Sequence, residues 1–245
     1  MSVRNKVERA AAAVEAENVM ARHSYYHAAG KHKEEVETIW TKQPEASWTL
    51  AMGKMWSLQS FVKSYVEGQD AMAKANMRAL CKKYPEVEGM DPHALMEESV
   101  HMLTSPLIEV SGDAQSVKGV WYTPGLILST LNPSGEKEAR WTWERYAADF
   151  IMEDGKLVYK NLLALCDFAG EVDDGDWTKI EDNAGMALPG VEDENGEAVV
   201  PEMDAFGEFY HNYAPWQVPQ LIPRLPEAYE SLKDTFEYND IVEEV

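Results

Sequence analysis

The order of helical and strand-like segments limits the fold of this chain more than any other feature. In the first 100 residues, apolar side chains return at helical intervals. The predicted helices cover residues 7–29, 33–40, 57–66 and 70–84. Gly30 stands where a C-terminal cap would end the first helix, and we predict a break near Gly68. A short strand over 47–52 and a short helix over 91–98 complete this half.

After residue 100 the pattern changes to strand-like runs rich in β-branched and aromatic residues. These runs cover residues 107–110, 117–128, 139–152 and 157–168. Turn-forming residues separate them at 111–113, 132–135 and 153–155, which favours antiparallel hairpins. Helices followed by an antiparallel meander predict an α+β fold, with the helices packed on one face of a curved sheet.

The length of 245 residues suits one core domain with an extension. We place the core domain at residues 1–170. Residues 171–245 are acidic and rich in proline and aromatic residues, and we expect this extension to pack on the core or on a neighbouring subunit. The two cysteines, Cys81 and Cys166, fit neither a disulfide framework nor a metal knuckle.

The formal net charge of −21 excludes several classes of partner. A strongly acidic protein without a basic patch repels nucleic acid and anionic membrane surfaces. No window approaches the ~18 to 20 apolar residues that a membrane span requires. We therefore expect a cytoplasmic protein that binds neither nucleic acid nor membrane.

Three local phrases in this order resemble the nuclear transport factor 2-like superfamily, and within it the polyketide cyclase-type (SnoaL-like) and scytalone dehydratase-like branch. They are Arg-His-Ser-Tyr-Tyr-His at 22–27, His101 before the strand that ends at 108–113, and Arg-Tyr-Ala-Ala-Asp-Phe at 145–150. The resemblance covers roughly residues 18–168. It implies a cone that encloses one apolar pocket, in a fold that hosts lyases, isomerases, cyclases and non-catalytic binding proteins.

The resemblance also implies catalytic positions. Tyr26 matches a tyrosine that orients or polarises a substrate oxygen, and His101 matches a histidine that serves as general base or acid. An imidazole suits this role because its ordinary pKa of ~6.5 lets it take and return a proton near neutrality. Where dehydratases of this branch often carry an aspartate, this chain has His27 and Lys31. His27 is therefore a candidate for handling the second proton.

Strand alternation over 142–150 supplies a further candidate, Glu144. Alternate residues of a strand share a face, which places Glu144 and Tyr146 on one side and Trp141 and Trp143 on the other. The resemblance puts the first set inside the cone, where a carboxylate among aromatic rings could carry a proton. The alternative, in which Glu144 pairs with a neighbouring arginine on the outer face, stays open.

Four aromatic residues are expected to line the pocket and bind substrate, although each could equally be a packing residue: Trp121, Tyr146, Phe150 and Trp40. His23 and His27 have the i, i+4 spacing of zinc enzymes, but no HExxH pattern or third ligand accompanies them. We therefore predict neither a metal nor a cofactor.

These observations predict a cofactor-independent lyase, either a dehydratase or a carbon–carbon lyase like the deformylating lyases of diarylpropane catabolism. An isomerase is also possible. The substrate would be a small aromatic or polycyclic molecule. The alternative is a non-catalytic binding protein with the same cone. Trp141 and Trp143 on the convex face of the sheet predict a homo-oligomer, a dimer or a trimer.

Overall fold

The computed structural model describes residues 3–50, 53–95, 98–129, 138–172, 195–197, 202–206, 218 and 221–239. The predicted turn at 132–135 and the acidic run at 173–194 lie outside these residues. No helix in the described ranges is both long enough and apolar enough to cross a membrane.

The N-terminal half is helical. Its helices are α1 (Val3–Ala28), α2 (His32–Ile39), α3 (Leu58–Phe61) and α4 (Gln69–Lys83). Gly30 follows α1 with a φ of +64°, the left-handed conformation that glycine adopts without strain, as predicted for a helix cap.

The predicted break near Gly68 is wrong. A π-helical segment, Val62–Gly68, joins α3 to α4, so that one continuous helix runs across the expected break. Extra residues in a π-helical turn change which side chains face inward, and here Ser64 and Tyr65 are buried. The helix expected over 91–98 is reduced to a 3₁₀ turn, Pro92–Leu95, followed by a strand.

Within the described residues the sheet has eight strands. The five predicted runs are strands, and three short strands at 53–55, 98–101 and 205–206 were not predicted. The eight strands are β1 (Ser47–Leu50), β2 (Gly53–Met55), β3 (Glu98–His101), β4 (Thr104–Val110), β5 (Ser116–Ser129), β6 (Glu138–Glu153), β7 (Lys156–Glu171) and β8 (Ala205–Phe206). Their order is β3-β5-β6-β7-β1-β2-β8, and β4 also pairs with β5. All named pairs are antiparallel except β1 with β7.

The two faces of the sheet have different partners. On the inner face, Tyr146, Ala148 and Phe150 join a core that includes residues of α1 and α2. On the outer face, Ala147 belongs to a separate cluster with Tyr238 from the C-terminal segment. The alternation predicted for β6 is therefore confirmed. Helices on one side of a mainly antiparallel, curved sheet also confirm the predicted α+β class.

Residues 221–239 pack on the outer face around a buried ion pair between Lys118 of β5 and Asp149 of β6. Both side chains are fully buried. Asp149 also accepts hydrogen bonds from Asn161 Nδ2 at 2.9 Å and from the backbone N–H of Tyr238 at 2.7 Å. The Lys118 ammonium lies 4.4 Å from the ring centre of Phe236. The C-terminal segment thus completes the environment of a charge pair that the sheet alone would leave exposed.

Candidate active site

Neighbouring strands align polar side chains on the inner face of the sheet. His101 at the end of β3 lies opposite Gly125 of β5, and Gly125 lies opposite Thr142 of β6. One step along β6, Glu144 lies opposite Thr123. The hydrogen-bond register of three strands therefore brings His101 and Glu144 together across 43 positions of sequence.

His101 and Glu144 form the central pair of the site. His101 Nδ1 lies 3.2 Å from Glu144 Oε2, and the two side chains are only 7% and 8% exposed. The other ring nitrogen, Nε2, lies 2.9 Å from the Oγ of Ser99. The imidazole thus presents Nδ1 to the carboxylate and Nε2 to the serine hydroxyl, and a carboxylate beside Nδ1 favours a proton on that nitrogen. The alternative position of Glu144 on the outer face, paired with Arg140 or Arg145, is excluded because its side chain is buried beside His101 on the inner face.

Two threonine hydroxyls lie beside this pair. Thr123 and Thr142 are buried, and within the described residues neither Oγ1 has a hydrogen-bond partner. Gly125 allows Thr142 and His101 to approach closely, because a Cβ at that position would lie 2.6 Å from Thr142 Oγ1 and 3.2 Å from His101 Nδ1. The two hydroxyls are thus buried donors beside the histidine–carboxylate pair.

A second buried carboxylate, Glu35 of α2, organises the deeper part of the cluster. It is fully buried and accepts hydrogen bonds from His23 Nδ1 at 2.7 Å, Trp40 Nε1 at 3.1 Å and the Tyr65 hydroxyl at 2.8 Å. Three donors therefore surround this buried carboxylate. Burial and Glu35 together raise the pKa of Tyr65 well above its usual range, so its hydroxyl stays protonated.

The hydrogen bonds around Glu35 and Tyr65 determine the tautomer of His27. Its Nδ1 lies 3.0 Å from the Tyr65 hydroxyl. Because that hydroxyl donates its hydrogen to Glu35, it can only accept from His27, which puts the His27 proton on Nδ1. Burial, with smaller contributions from His101 and His23, lowers the pKa of His27 well below its usual range. The ring is therefore neutral at pH 7, with its Nε2 unprotonated.

Tyr146 connects the two carboxylate clusters. Its ring centre lies 5.9 Å from His23 and 5.9 Å from His101. Burial raises the pKa of Tyr146 well above its usual range, and its interaction with Glu144 adds to the rise. His27 completes the connection, with its ring centre 5.6 Å from that of His101. The structure thus brings together four of the predicted residues: His101, Glu144, His27 and Tyr146.

The remaining predicted site residues lie elsewhere. Tyr26 is partly buried against the core, and among the described residues its side chain has no hydrogen bond or ring contact with the cluster. Trp121 and Phe150 pack together with ring centres 6.2 Å apart, away from His101. Trp40 is a core residue that donates its Nε1 hydrogen to Glu35 and packs with its ring centre 6.4 Å from that of Trp48. These positions favour packing as their role.

The interior expected to hold an open pocket is filled by aromatic rings. Trp48 lies 4.3 Å from Tyr65 and 5.4 Å from Phe61 between ring centres. Two surface grooves, of about 560 and 490 Å³, lie along α1 and beside the C-terminal segment, and neither is lined by His101 or Glu144. In the described part of the chain, no three histidine, cysteine or carboxylate side chains are grouped to hold a metal ion.

Sequence reasoning missed Glu35, Tyr65, Ser99 and both threonines. Glu35 had a readable signal, since it shares a buried face of α2 with His32 and Ile39. A carboxylate at a position with apolar-face spacing needs buried partners.

No family model and no curated protein matches this chain. Several solved structures are similar to it in fold. They include a type 2 hexachlorocyclohexane dehydrochlorinase, LinA, with 14% identity over 69% of this chain and 94% of that chain, at a TM-score of 0.46. A candidate scytalone dehydratase from Novosphingobium aromaticivorans has 14% identity over 64% of this chain and 85% of its own, at 0.41.

A nuclear transport factor 2-like protein with a cystatin-like fold, also from Novosphingobium aromaticivorans, has 12% identity over 66% of this chain and 82% of that chain, at a TM-score of 0.37. Its description names the fold type to which the sequence resemblance points. At such low identity these likenesses concern fold alone, and the chemistry has to be argued from the side chains of this chain.

Proposed function

We propose that this protein is a cofactor-independent lyase that acts on a small aromatic or polycyclic molecule by acid–base catalysis. The observation that carries the proposal is the nearly buried pair of His101 and Glu144 beside two unpartnered threonine hydroxyls. A histidine oriented by a carboxylate is a common general base, and a dry site strengthens each electrostatic interaction within it.

In this scheme His101 removes a proton from the substrate through Nε2, and Glu144 stabilises the imidazolium that results. The hydroxyls of Thr123 and Thr142 donate to the oxygen that gains negative charge, the role that Tyr26 was expected to fill. Glu144, 3.2 Å from His101 Nδ1, or the neutral His27, whose ring centre is 5.6 Å from that of His101, would handle the second proton.

The aromatic rings around the cluster support an aromatic or polycyclic substrate. Trp48 and Tyr146 flank the histidines and would stack on a planar ring. The outcome of proton removal depends on the leaving group, so dehydration, carbon–carbon cleavage and isomerisation all use the same His101 chemistry. Dehydration or loss of a small carbonyl fragment is the proposed reaction.

The closely packed interior favours a second candidate function, a non-catalytic binding protein. Rings occupy the space that a pocket would need, and neither surface groove is lined by the pair. In that case His101 and Glu144 would be a satisfied polar pair inside a structural core.

The deciding experiment compares wild type with His101→Ala on hydroxylated aromatic, diarylpropane and steroid-like compounds, with no metal or cofactor added. A fall in kcat/KM of ~10²-fold or more would support the general base. His93→Ala is the matched control, because His93 pairs with Asp70 away from the cluster. Saturable binding without turnover in wild type would favour the binding protein instead.

A further inference from the structure

Ser99 and His101 stand two positions apart on β3, so their side chains share one face of the strand. The Ser99 Oγ lies 2.9 Å from His101 Nε2, and Glu144 Oε2 lies 3.2 Å from His101 Nδ1. Serine, histidine and carboxylate thus occur in the order hydroxyl, Nε2, Nδ1, carboxylate. Serine hydrolases on unrelated folds share this order of contacts, which is recognised by geometry and not by sequence position.

We propose that Ser99 is a nucleophile, and that the chain transfers acyl groups from small esters to water through an acyl-Ser99 intermediate. This activity goes beyond the proposed lyase reaction and uses the same histidine–carboxylate pair. The sequence does not predict this activity, because it contains no GxSxG nucleophile elbow.

The proton positions favour this role. A carboxylate 3.2 Å from Nδ1 favours a proton on that nitrogen, which leaves Nε2 to accept from the Ser99 hydroxyl. His101 and Glu144 are nearly buried, whereas Ser99 is only partly buried. The Ser99 hydroxyl can therefore be reached by a substrate from solvent, while its base, His101, stays shielded from water.

A donor for the oxyanion is present nearby in the sheet. Thr142 Oγ1 lies beside Gly125, the residue that pairs with His101. The Thr142 hydroxyl is buried and has no hydrogen-bond partner in the described part of the chain. A substrate oxygen that accepts this hydroxyl would satisfy it.

The step balances without any further reactant except water. Ser99 Oγ attacks the ester carbonyl carbon as its proton passes to His101 Nε2, and the C–O bond to the alcohol then breaks as Nε2 returns the proton to the leaving oxygen. Water repeats the sequence on the acyl-Ser99 ester, releasing the acid and restoring the hydroxyl. Glu144 acts throughout as a positioning residue that holds the imidazole and stabilises its protonated form.

The test is labelling of the full-length protein with a fluorophosphonate, located by peptide mass mapping, together with hydrolysis of p-nitrophenyl acetate. We expect the label on Ser99, and loss of labelling and a fall of ~10³-fold or more in ester hydrolysis in Ser99→Ala. Glu144→Gln should slow labelling by ~10²-fold or more, which a serine in a merely structural role would not show. Ser105→Ala, which removes an exposed serine on β4, is the control and should label as wild type.

No label on Ser99 in folded wild type, or labelling that is independent of Glu144, would overturn the proposal. Circular dichroism and thermal melting of each variant separate lost chemistry from lost folding. The two proposals can fail separately. If the lyase proposal is right and the nucleophile proposal is wrong, Ser99→Ala keeps its lyase turnover. If the nucleophile proposal is right and the lyase proposal is wrong, Ser99 is labelled although the wild type shows no lyase turnover.

Discussion

Acidification should unfold this protein through its buried histidines, and His32 allows the size of the effect to be worked out. His32 begins α2, is 6% exposed, and packs its ring 4.4 Å from that of Tyr65. Burial lowers the pKa of His32 from 6.5 to about 4, although Glu35 acts in the opposite direction. Between these two pKa values, His32 is therefore neutral in the folded state and protonated in the unfolded chain.

The sign and magnitude follow from proton linkage. Below pH 6.5 the unfolded chain binds more protons at this residue than the folded chain, so the free energy of unfolding falls as pH falls. The loss is ~1.4 kcal/mol per pH unit, which gives about 2 kcal/mol at pH 5 and about 3 kcal/mol by pH 4. His27 adds a loss of the same sign, because its pKa is also lowered by burial.

The assay is urea unfolding of wild type and His32→Asn between pH 7.5 and 4.5, followed by tryptophan fluorescence. His32→Asn should be less stable at pH 7.5 but should lose less stability on acidification. Lys33→Asn, which removes an exposed cation from the same helix, is the control. If wild type and His32→Asn lost the same free energy between pH 7.5 and 5, the assignment of a buried neutral His32 would be refuted.

Three further outcomes are expected. Lys118→Met should lower the free energy of unfolding in urea by ~3 to 5 kcal/mol, because it leaves Asp149 buried without its cation. Adding Asp149→Leu should recover most of that loss. A free energy of unfolding of Lys118→Met within ~1 kcal/mol of wild type would contradict this. Nitrogen-15 NMR of the imidazoles should show His27 protonated on Nδ1 in wild type and a mixture of tautomers in Tyr65→Phe, whereas a protonated Nε2 in wild type would disprove the assignment. Self-association through the half-exposed Trp143 should give a dimer or trimer mass by light scattering that falls in Trp143→Glu; a clean wild-type monomer at micromolar concentration would exclude it.

The fold was predictable because its main signals are local. Alternation along β6 identified the inward set correctly, since every second side chain of a strand faces the same layer. The break expected at Gly68 failed because glycine propensity is a weak local term. Packing of Phe61 and Tyr65 into the core outweighs it, and the helix continues through a π-helical segment.

The site was predictable residue by residue but not as a network. His101 and Glu144 were each identified, yet nothing in a sequence says that positions 43 apart share a hydrogen-bond register across β5. The spacing of Glu35 on α2 indicates burial, but only the tertiary arrangement of His23, Trp40 and Tyr65 makes it the centre of a polar cluster. Tyr26 is the opposite case. Its position matches a tyrosine of the similar family, but its side chain packs against the core and not in the cluster.

The parallel pairing of β1 with β7 determines when this protein can fold during its synthesis. Ser47 bonds to Asn161 across 114 positions, so the sheet on which α1 and α2 pack is incomplete until β7 has left the ribosome. Synthesis of these 114 positions at 5 to 20 residues per second takes roughly 6 to 23 s. Until then α1, whose buried stripe includes Val19 and Met20, lacks its contacts with β7. A nascent chain stalled before Lys156 should therefore bind chaperones that hold exposed apolar helices.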